Sequence, residues 1–451
     1  MKRPVVLTTP ESSHRRSPTS LDLKFIRENA EIVRENLRKR GNAEKIDQFQ
    51  RLLEVDNELR RLKKVVQDLR AERNRLSREI GRLKTAGQDT LVLVEQANRT
   101  NASISEAEAT AERLEHELRV LQMNIPNLLH ESVPYGRDES DNVVVREWGG
   151  RPEHDFEPKS HVDLLELLDL ADISRAAKVS GARFYYLKNQ LVLLDLAMQM
   201  LALEMLTKKG FHPIYPPFMM RREPYEGVTD LADFRDVMYK IEDEDLYLIA
   251  TSEHPMAAMY MGEIFEPTQL PIRLAGISTC FRKEAGSHGK DTKGIFRVHQ
   301  FNKVEQFVFC RPDESWTIHE ELLSNVESFF KALKIPYRIV NVCTGDIGTV
   351  AAKKYDLETW MPVQKTYREA ASCSNCTAYQ ATRLGIKYRL TKGGTEKSYV
   401  HTLNSTMVAN PRALVALMEN LQREDGSIPI PVILRKYLPN ELREIVPPES
   451  A

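Results

Sequence analysis

Apolar residues in the first third of the chain recur at steps of three and four, and Gly87 separates two runs of this kind. The first run is Leu52, Val55, Leu59, Leu62, Val66, Leu69, Leu76, Ile80 and Leu83, and the second is Ile104, Ala107, Ala111, Leu114, Leu118, Leu121 and Ile125. This heptad-like spacing predicts two helices that pack as an antiparallel coiled coil. A helix of roughly 40 residues is about 60 Å long, so the pair is predicted to project from the protein as an arm.

The pattern changes at Pro126. Residues 126–160 contain several prolines and glycines and predict a linker with incoming strands, whereas helical and strand patterns mix irregularly from His161 onward. Because strands and helices do not alternate regularly, an α+β fold is predicted rather than a doubly wound sheet. Residues 1–20 are polar and predict a disordered extension, although Arg15 and Arg16 among serines also suit an organellar transit segment. The predicted units are therefore 1–20, 21–125, 126–160 and 161–451.

Composition narrows the class of protein. The 451 residues are 41% hydrophobic, as in an ordinary globular protein. No apolar run approaches the ~20 residues that span a membrane, so no membrane partner is expected. Five scattered cysteines make no disulfide framework, and a reducing compartment, the cytoplasm, is expected. The net charge of −1 gives no global indication of a nucleic-acid partner.

The first predicted helix of the arm is locally basic. Between Arg60 and Lys84 there are ten basic and three acidic residues, which gives a net charge of +7. A basic stripe along a projecting rod suits a phosphate backbone. The candidate contacts are Arg60, Arg61, Lys63, Lys64, Arg70, Arg73, Arg75 and Arg78. The alternative is an ordinary coiled-coil flank, charged because it is solvated or paired with the acidic second helix.

The segments 280–284 and 295–305 alternate apolar with charged residues, so both predict strands. The glycine-rich residues 285–294 between them predict a hairpin loop. Side chains two apart share a face of a strand, which groups Arg282 with Glu284 and also groups Arg297, His299, Phe301, Lys303 and Glu305. Such a face can bind phosphates, stack on a planar base and hold an ammonium group. The alternative is a solvent face held together by salt bridges.

Two further segments carry polar groups that could bind a ligand or a metal ion. The triplet Thr251-Ser-Glu253 offers a hydroxyl and a carboxylate to a small polar ammonium compound. In 367–375, Glu369 and Ser372 are a hard oxygen pair that suits Mg²⁺. Cys373 and Cys376 in the same segment leave zinc as an alternative, although no second ligand pair accompanies them.

The segment 401–412 leads into a predicted helix, with Asn410 as N-cap and Pro411 at the first helical position. Arg412 would then lie in the first helical turn, where free N–H groups favour anions. The alternative is a surface arginine paired with Glu419 or Glu424. Upstream, an apolar helix over residues 190–209 leads into the proline-containing segment 210–217, which predicts an edge strand.

Taken in order, these segments resemble motif 1 (190–217), motif 2 (280–305) and motif 3 (401–412) of class II aminoacyl-tRNA synthetases, and the seryl-tRNA synthetase family in particular. The resemblance implies an antiparallel sheet flanked by helices over 161–451, which would be the catalytic domain, and a tRNA-binding coiled-coil arm over 21–125. It further implies a cytoplasmic homodimeric ligase that uses ATP and Mg²⁺ to load L-serine onto tRNA(Ser), and tRNA(Sec) where present. Ser252 and Ala371 depart from the residues more usual in the family.

The resemblance also assigns roles to residues. The implied catalytic arginines are Arg282, Arg297 and Arg412. The implied serine contacts are Thr251, Ser252, Glu253, Arg282, Glu305, Asn404 and Thr406. The implied ATP contacts are Arg282, Lys283, Glu284, Arg297, Val298, His299, Gln300, Phe301, Glu369, Ala370, Ala371, Ser372 and Arg412, of which Glu369 and Ser372 would also bind Mg²⁺. The loop 285–294, with Lys290 and Lys293, is expected near the acceptor end of the tRNA.

Three other functions remain open from the sequence. A ligase that loads an amino acid onto a carrier protein would keep the catalytic body but generally lacks an RNA-binding arm. A non-catalytic protein on the same scaffold would lose the motif arginines, and Arg282, Arg297 and Arg412 are all present. A threonyl or prolyl enzyme would share these arginines, but it would have neither the arm nor the triplet Thr251-Ser-Glu253, called the Thr-x-Glu segment below.

Overall fold

The computed structural model of this protein describes residues 21–229, 237–284 and 293–448. The predicted extension 1–20 lies outside the described residues, as does most of the predicted loop, including Lys290.

The N-terminal part is helical. Its helices are α1 (Leu23–Glu28), α2 (Ala30–Lys39), α3 (Ala43–Thr85) and α4 (Leu91–Met123). The long helices α3 and α4 pack against each other, as the two apolar runs predict, and Leu59, Leu76 and Ile104 are buried between them. Helix α3 begins before the first apolar run because the side chain of Asn42 caps it by accepting a hydrogen bond from the Lys45 backbone N–H.

The two short helices were not predicted. Helices α1 and α2 fold back on the base of the arm, where Ile26, Val33 and Leu37 bury against Phe49 and neighbouring residues of α3. A bidentate pair between the Arg27 guanidinium and the Asp56 carboxylate, at 2.6 and 2.7 Å, closes the same contact. The base of the arm is therefore a packed unit, whereas its distal part is a two-helix rod.

Asn127 in the linker makes several of the hydrogen bonds that attach this unit to the body. The side-chain amide of Asn127 donates to the Val350 and Cys376 carbonyl oxygens at 2.9 and 2.7 Å. The backbone carbonyl oxygen of Asn127 accepts from the side chains of Asn36 and Arg40 at 3.1 and 2.7 Å. These contacts join α2, the linker and the central sheet in one buried network.

The body is built on an eight-stranded sheet with the order β1-β10-β11-β12-β15-β9-β8-β4. The strands are β1 (Val143–Trp148), β4 (His212–Ile214), β8 (Ile272–Phe281), β9 (Gln300–Cys310), β10 (Tyr337–Asn341), β11 (Lys353–Met361), β12 (Thr366–Thr377) and β15 (His401–Ala409). The pairs are antiparallel, except that β4 runs parallel to β8. The antiparallel α+β sheet expected from the resemblance is confirmed.

Short strands form smaller sheets around the large one. They are β2 (Ala171–Asp172), β3 (Tyr186–Leu187), β5 (Met219–Met220), β6 (Tyr247–Leu248), β7 (Ile264–Phe265), β13 (Lys387–Arg389), β14 (Lys397–Tyr399), β16 (Ile428–Pro429) and β17 (Glu444–Ile445). The body helices are α5 (His161–Leu167), α6 (Ile173–Ser180), α7 (Asn189–Thr207), α8 (Arg222–Val228), α9 (Glu253–Ala258), α10 (Ser315–Ala332), α11 (Tyr379–Leu384), α12 (Asn410–Leu421) and α13 (Val432–Arg435).

The sheet is buried on both faces. Along β9, Val308 and Cys310 belong to the cluster that packs under α7, α10 and α12, whereas Phe307 and Phe309 belong to a second cluster with α8 and α9. Alternate residues of one strand therefore serve two cores, which explains why β9 is apolar at successive positions.

The apolar helix and the edge strand predicted for residues 190–217 correspond to α7 and β4. Pro213 lies in β4, which is the terminal strand of the sheet order. Helix α7 is the one helix of the described chain that is long and apolar enough to cross a membrane, but it also packs on β9 and β15 like a core helix. Its other side leaves Leu196 and Met200 about half exposed, at 53% and 51%.

Candidate active site

The strands β8 and β9, next to the edge strand β4, carry the candidate motif 2 residues. Cys280 pairs with Phe301 and Phe281 with Gln300, and there both strands end. The prediction that they extend through 284 and begin at 295 was wrong. Beyond Phe281 the backbone N–H of Arg282 still donates to the His299 carbonyl at 2.9 Å, but the chain then leaves the sheet and reaches a φ of +50° at Glu284.

The three candidate catalytic arginines converge despite this break in the strands. Arg282, Arg297 and Arg412 line one cavity, whose empty space of about 560 Å³ is in part open to solvent. The other lining residues are Glu284, Phe296, Val298, Phe301, Lys303, Glu369, Ala370, Ala371, Ser372, Thr406, Ala409 and Pro411. Segments more than a hundred residues apart in sequence thus meet at one concave surface of the kind that binds small molecules.

Each arginine is held by a specific partner. The guanidinium of Arg282 lies 5.3 Å from the Phe301 ring centre and donates from Nε to the Ala250 carbonyl at 3.2 Å. Arg297 donates to Glu284 Oε2 at 3.0 Å. These contacts orient the guanidinium groups before any ligand arrives, which lowers the entropy that binding must overcome.

Arg412 lies in the first turn of α12, as predicted, but its acidic partner is different from both alternatives. It donates to the Glu369 carbonyl oxygen at 2.9 Å and lies 3.2 Å from that residue's carboxylate. The predicted N-cap at Asn410 was wrong, because Ala409 is the cap and the Asn410 amide donates instead to Asp195 Oδ1 and O, each at 2.8 Å. Asp195 on α7 thereby anchors the start of the helix that carries Arg412.

Glu369 and Ser372 present oxygen atoms to the same cavity. Partial desolvation alone would raise the pKa of Glu369, whose side chain is 45% exposed, but the charges of Arg412 and Lys354 outweigh it and lower the pKa to about 2. An ionised carboxylate and a hydroxyl fit Mg²⁺, which binds few protein ligands and keeps phosphate and water in its shell. Among the described residues there is no cluster of three or more His, Cys, Asp or Glu side chains that could hold a metal by themselves.

A buried cluster of polar side chains, called the polar pocket below, adjoins the arginines. Glu305 is 1% exposed, and its carboxylate contacts the Lys303 ammonium and accepts from Thr406 Oγ1 at 3.4 Å. The Lys303 Nζ lies 3.2 Å from Thr251 Oγ1. These contacts bring the candidate serine residues of three segments to one place.

The opposite wall of this pocket is formed by Glu253. Its Oε1 accepts from Asn404 Nδ2 at 2.9 Å and from Gln380 Nε2 at 3.1 Å. Burial, together with the nearby charge of Glu305, raises the pKa of Glu253 to about 7. Burial also raises the pKa of Glu305, although the charge of Lys303 opposes it. The pocket therefore has two carboxylates that would favour a bound cation.

The backbone under this pocket has no spare room. Ser252 Oγ donates to the Gly276 carbonyl at 3.4 Å, and Gly276 pairs directly with Glu305 across β8 and β9. A Cβ at position 276 would lie 2.6 Å from Met256 Cε and 2.9 Å from Ser252 Oγ. Gly276 thus lets the Thr-x-Glu segment approach the sheet.

Some predicted residues do not line the cavity. The Lys283 backbone N–H donates to the Val237 carbonyl at 2.9 Å, and its ammonium lies 5.9 Å from the Tyr239 ring. The His299 ring bonds the Arg282 carbonyl at 2.7 Å, and Gln300 is exposed. Their backbone positions are close to the cavity, but their side chains serve the connection between the two strands.

The histidines and cysteines near the pocket are structural in character. Burial lowers the pKa of His254 to about 3 and that of His401 to about 3, so both rings are neutral. The Cys373 and Cys376 thiols are buried and free, and burial raises the pKa of each. Cys376 Sγ instead lies 3.4 Å from Asn404 Nδ2.

Sequence reasoning gave no ligand-binding role to four residues that line the cavity, namely Phe296, Lys303, Ala409 and Pro411. Phe296 lines the cavity, and its ring lies 5.5 Å from the Arg412 guanidinium. Lys303 was placed on the correct strand face but was given no role. The alternation that put it beside Glu305 was the available signal.

The candidate RNA-binding residues lie along α3. Arg60, Arg61, Lys64 and Arg78 are exposed, and no acidic partner is found for them among the described residues. Lys63 pairs with Glu115 at 2.6 Å and Arg70 with Glu108 at 2.6 Å, whereas Arg75 pairs within α3. Arg73 is half-buried and bonds Asn74 Oδ1. Ion pairs within and between the helices thus neutralise Lys63, Arg70 and Arg75, whereas Arg60, Arg61, Lys64 and Arg78 keep an unneutralised charge among the described residues.

Comparisons with known proteins agree with this geometry. Residues 21–129 match the family described as Seryl-tRNA synthetase N-terminal domain, and residues 239–421 match the tRNA synthetase class II core domain (G, H, P, S and T). The serine–tRNA ligase of Methanocella arvoryzae is 55% identical over 93% of this chain and 98% of its own. That of Pyrococcus horikoshii is 50% identical over 95% and 98%.

Solved structures give the same result. The structure of seryl-tRNA synthetase from Pyrococcus horikoshii complexed with ATP has a TM-score of 0.89 at 50% identity and covers 95% of this chain and 100% of that one. The cytoplasmic serine–tRNA ligase of Naegleria fowleri in complex with AMP has a TM-score of 0.84 at 37% identity, over 96% and 99% of the two chains. The chain therefore belongs to the seryl-tRNA synthetase family.

Proposed function

We propose that this protein activates L-serine with ATP and transfers the serine to the 3′ end of tRNA(Ser). The observation that carries the proposal is the convergence of Arg282, Arg297 and Arg412 on one cavity, beside the carboxylates of Glu253 and Glu305. The phosphates of a nucleoside triphosphate need the arginines, and the ammonium group of an amino acid needs the carboxylates beside them. The ATP and AMP complexes of the relatives support the same use of the cavity.

The first step joins serine to the nucleotide. The serine carboxylate attacks the α-phosphate of ATP, and pyrophosphate leaves with the electrons of the broken P–O bond. Arg282 is placed to hold both the carboxylate and the α-phosphate, while Arg297 and Arg412 neutralise the γ-phosphate. Phe301 and Arg412 enclose the adenine ring, and the Glu284 carboxylate would accept a hydrogen bond from the adenine amino group. Catalysis then rests on positioning and charge stabilisation, without a covalent enzyme intermediate.

The second step transfers the serine. A hydroxyl of the terminal ribose attacks the carbonyl carbon of the adenylate, and AMP leaves. Thr251 and Glu305 would hold the ammonium group in both steps, and Asn404 and Thr406 would complete the contacts to the serine hydroxyl. An amino acid without that hydroxyl would leave buried polar groups unpaired, which gives strong discrimination against alanine.

Glu369 and Ser372 are the residues that would hold Mg²⁺. The ion supplies positive charge to the phosphates of ATP. The residues themselves contribute an ionised carboxylate and a hydroxyl from positions three residues apart on β12.

The arm and the edge of the body fit the remaining partners. The exposed cations of α3 suit the phosphate backbone of a tRNA that is recognised by shape.

Leu196 and Met200 on α7, beside the edge strand β4, suit a second copy of this chain, so we expect a homodimer. Leu196→Glu should then produce monomers in sedimentation, whereas an unchanged assembly would exclude this surface. We place the protein in the cytoplasm because its cysteines are free.

Amino-acid-dependent ATP–pyrophosphate exchange tests the proposal. Serine should support exchange, whereas threonine, alanine and glycine should support at most a few per cent of the serine rate. A faster rate with threonine, or no exchange with any of the four, would contradict the assignment. Serine attachment to tRNA(Ser) transcripts then tests the second step.

A further inference from the structure

The polar pocket around Glu253 and Glu305, which the proposed function makes the amino-acid pocket, already contains an ammonium group. The Lys303 side chain is 8% exposed, and its Nζ contacts both the Glu305 carboxylate and Thr251 Oγ1. These are the two groups that the proposed function assigns to the ammonium group of serine. A buried lysine therefore occupies the position that a bound amino acid requires.

The charges around Lys303 balance in the empty pocket. Glu253 and Glu305 supply two carboxylates, and Arg282 and Lys303 supply two cations. His254, which also faces this region, is neutral because burial lowers its pKa to about 3. A second ammonium group on Glu305 would place two cations against one carboxylate in a buried site. The lysine and the incoming ammonium group consequently compete.

The carboxylate of the bound amino acid is a suitable partner for the displaced lysine. Phe301 and Lys303 are successive residues on one face of β9, roughly 7 Å apart along the strand. The Arg282 guanidinium stacks on the Phe301 ring, so Arg282 and Lys303 flank the same part of the cavity. A carboxylate held by Arg282 would be within reach of a long lysine side chain. An amino acid brings such a carboxylate, whereas a simple amine does not.

We propose that Lys303 is a resident counter-ion of the amino-acid pocket. It holds Glu305 and Thr251 while the pocket is empty, and it cedes them to the ammonium group of the incoming amino acid. The carboxylate of that amino acid then becomes the partner of the lysine. Lys303 is thus a specificity-determining residue that makes binding depend on both charged groups of the ligand. This inference rests on the proposed function, since it takes the pocket to be the serine site.

Ethanolamine is the matched probe, because it has the ammonium and hydroxyl groups of serine without the carboxylate. The experiment compares the full-length wild-type protein with Lys303→Met and Lys303→Arg at pH 8.5. It measures the serine KM in pyrophosphate exchange and the inhibition constant of ethanolamine against serine. Thermal unfolding and the ATP KM report whether each variant keeps its fold and its nucleotide site.

In the wild type, ethanolamine should bind at least 100-fold more weakly than serine, because it displaces the lysine without offering it a partner. In Lys303→Met there is no lysine to displace. The ratio of the ethanolamine inhibition constant to the serine KM should therefore fall at least tenfold, and Lys303→Arg should restore most of it. A ratio unchanged within twofold in Lys303→Met, or an equal weakening of both ligands, would overturn the proposal.

Two outcomes separate this inference from the proposed function. If the wild type shows no serine-dependent exchange, the proposed function itself fails. If the wild type exchanges with serine but the ratio does not move, only the counter-ion role fails. If Lys303→Met does not fold, Lys303→Gln makes the same comparison with a polar neutral side chain.

Discussion

Gly276→Ala tests whether the sheet beneath the amino-acid pocket positions the Thr-x-Glu segment. The added Cβ would lie 2.6 Å from Met256 Cε and 2.9 Å from Ser252 Oγ, whereas ordinary contacts begin at 3.4 Å. Met256 is 1% exposed and cannot simply turn into solvent. The first turn of α9, with Glu253, must therefore move by roughly half an ångström or more, since packed interiors do not absorb an extra methyl group.

The cost of such overpacking is typically about 1–3 kcal/mol. If half or more of this cost falls on the serine-bound form, the serine KM rises by about 3- to 100-fold, since about 1.4 kcal/mol is a factor of ten. The ATP KM should change less than twofold, because Arg297, Phe296 and Arg412 do not contact Ser252 or Met256. Pyrophosphate exchange with each substrate varied in turn measures both constants.

The control is Gly150→Ala, because a Cβ at that position meets nothing within 4 Å and the backbone has no positive φ. It should leave both constants unchanged. Gly276→Ala combined with Met256→Ala removes most of the close contacts and should recover part of the serine KM. The reasoning is refuted if Gly276→Ala leaves the serine KM unchanged, or if the serine and ATP constants rise equally.

Three other substitutions or deletions follow from the structure. Arg282→Ala should reduce serine-dependent exchange by at least 100-fold, since it removes the charge between carboxylate and α-phosphate; exchange near the wild-type rate would remove Arg282 from the mechanism. The raised pKa of Glu253, about 7, means that the folded protein keeps a proton which the unfolded chain loses near pH 4.5. The free energy of unfolding therefore falls by up to about 3 kcal/mol as the pH rises from about 4.5 to about 7. Glu253→Gln should raise the unfolding temperature at pH 8 more than at pH 5, and an equal change at both would argue against the shift. Replacing residues 64–109 of the arm with a short turn keeps the packed base and should preserve exchange while abolishing tRNA charging; normal charging would exclude the arm's role.

The parts of the fold that the sequence predicts are those with long, regular patterns. The two helices of the arm follow from heptad spacing that continues for several turns. The edge position of β4 follows from a proline that cannot donate to a central ladder. In both cases the information is local, so no knowledge of the rest of the chain is needed.

The parts that were missed depend on distant contacts. Helices α1 and α2 are 6 and 10 residues long, too short for a strong periodic signal, and their apolar residues find partners on α3. The strands of motif 2 end at Phe281 and Gln300, where the backbone turns away although the polar alternation continues.

The site shows the same division. Resemblance to known motifs brought Arg282, Arg297 and Arg412 together correctly, because motif residues have fixed places in a shared fold. Lys303 could not be recognised as buried from its strand, since alternating charged residues usually face solvent. Its contact with Thr251 joins residues 52 positions apart and exists only after the sheet and α9 have packed.

The product that the protein forms and retains tests the central claim most directly. The protein is incubated with Mg²⁺, ATP and an equimolar mixture of the twenty amino acids, separated rapidly from free ligand, and its bound small molecules are identified by mass spectrometry. The account predicts seryl-adenylate as the dominant bound species, and its loss in Arg282→Ala. An adenylate of another amino acid, or no adenylate at all, would contradict it.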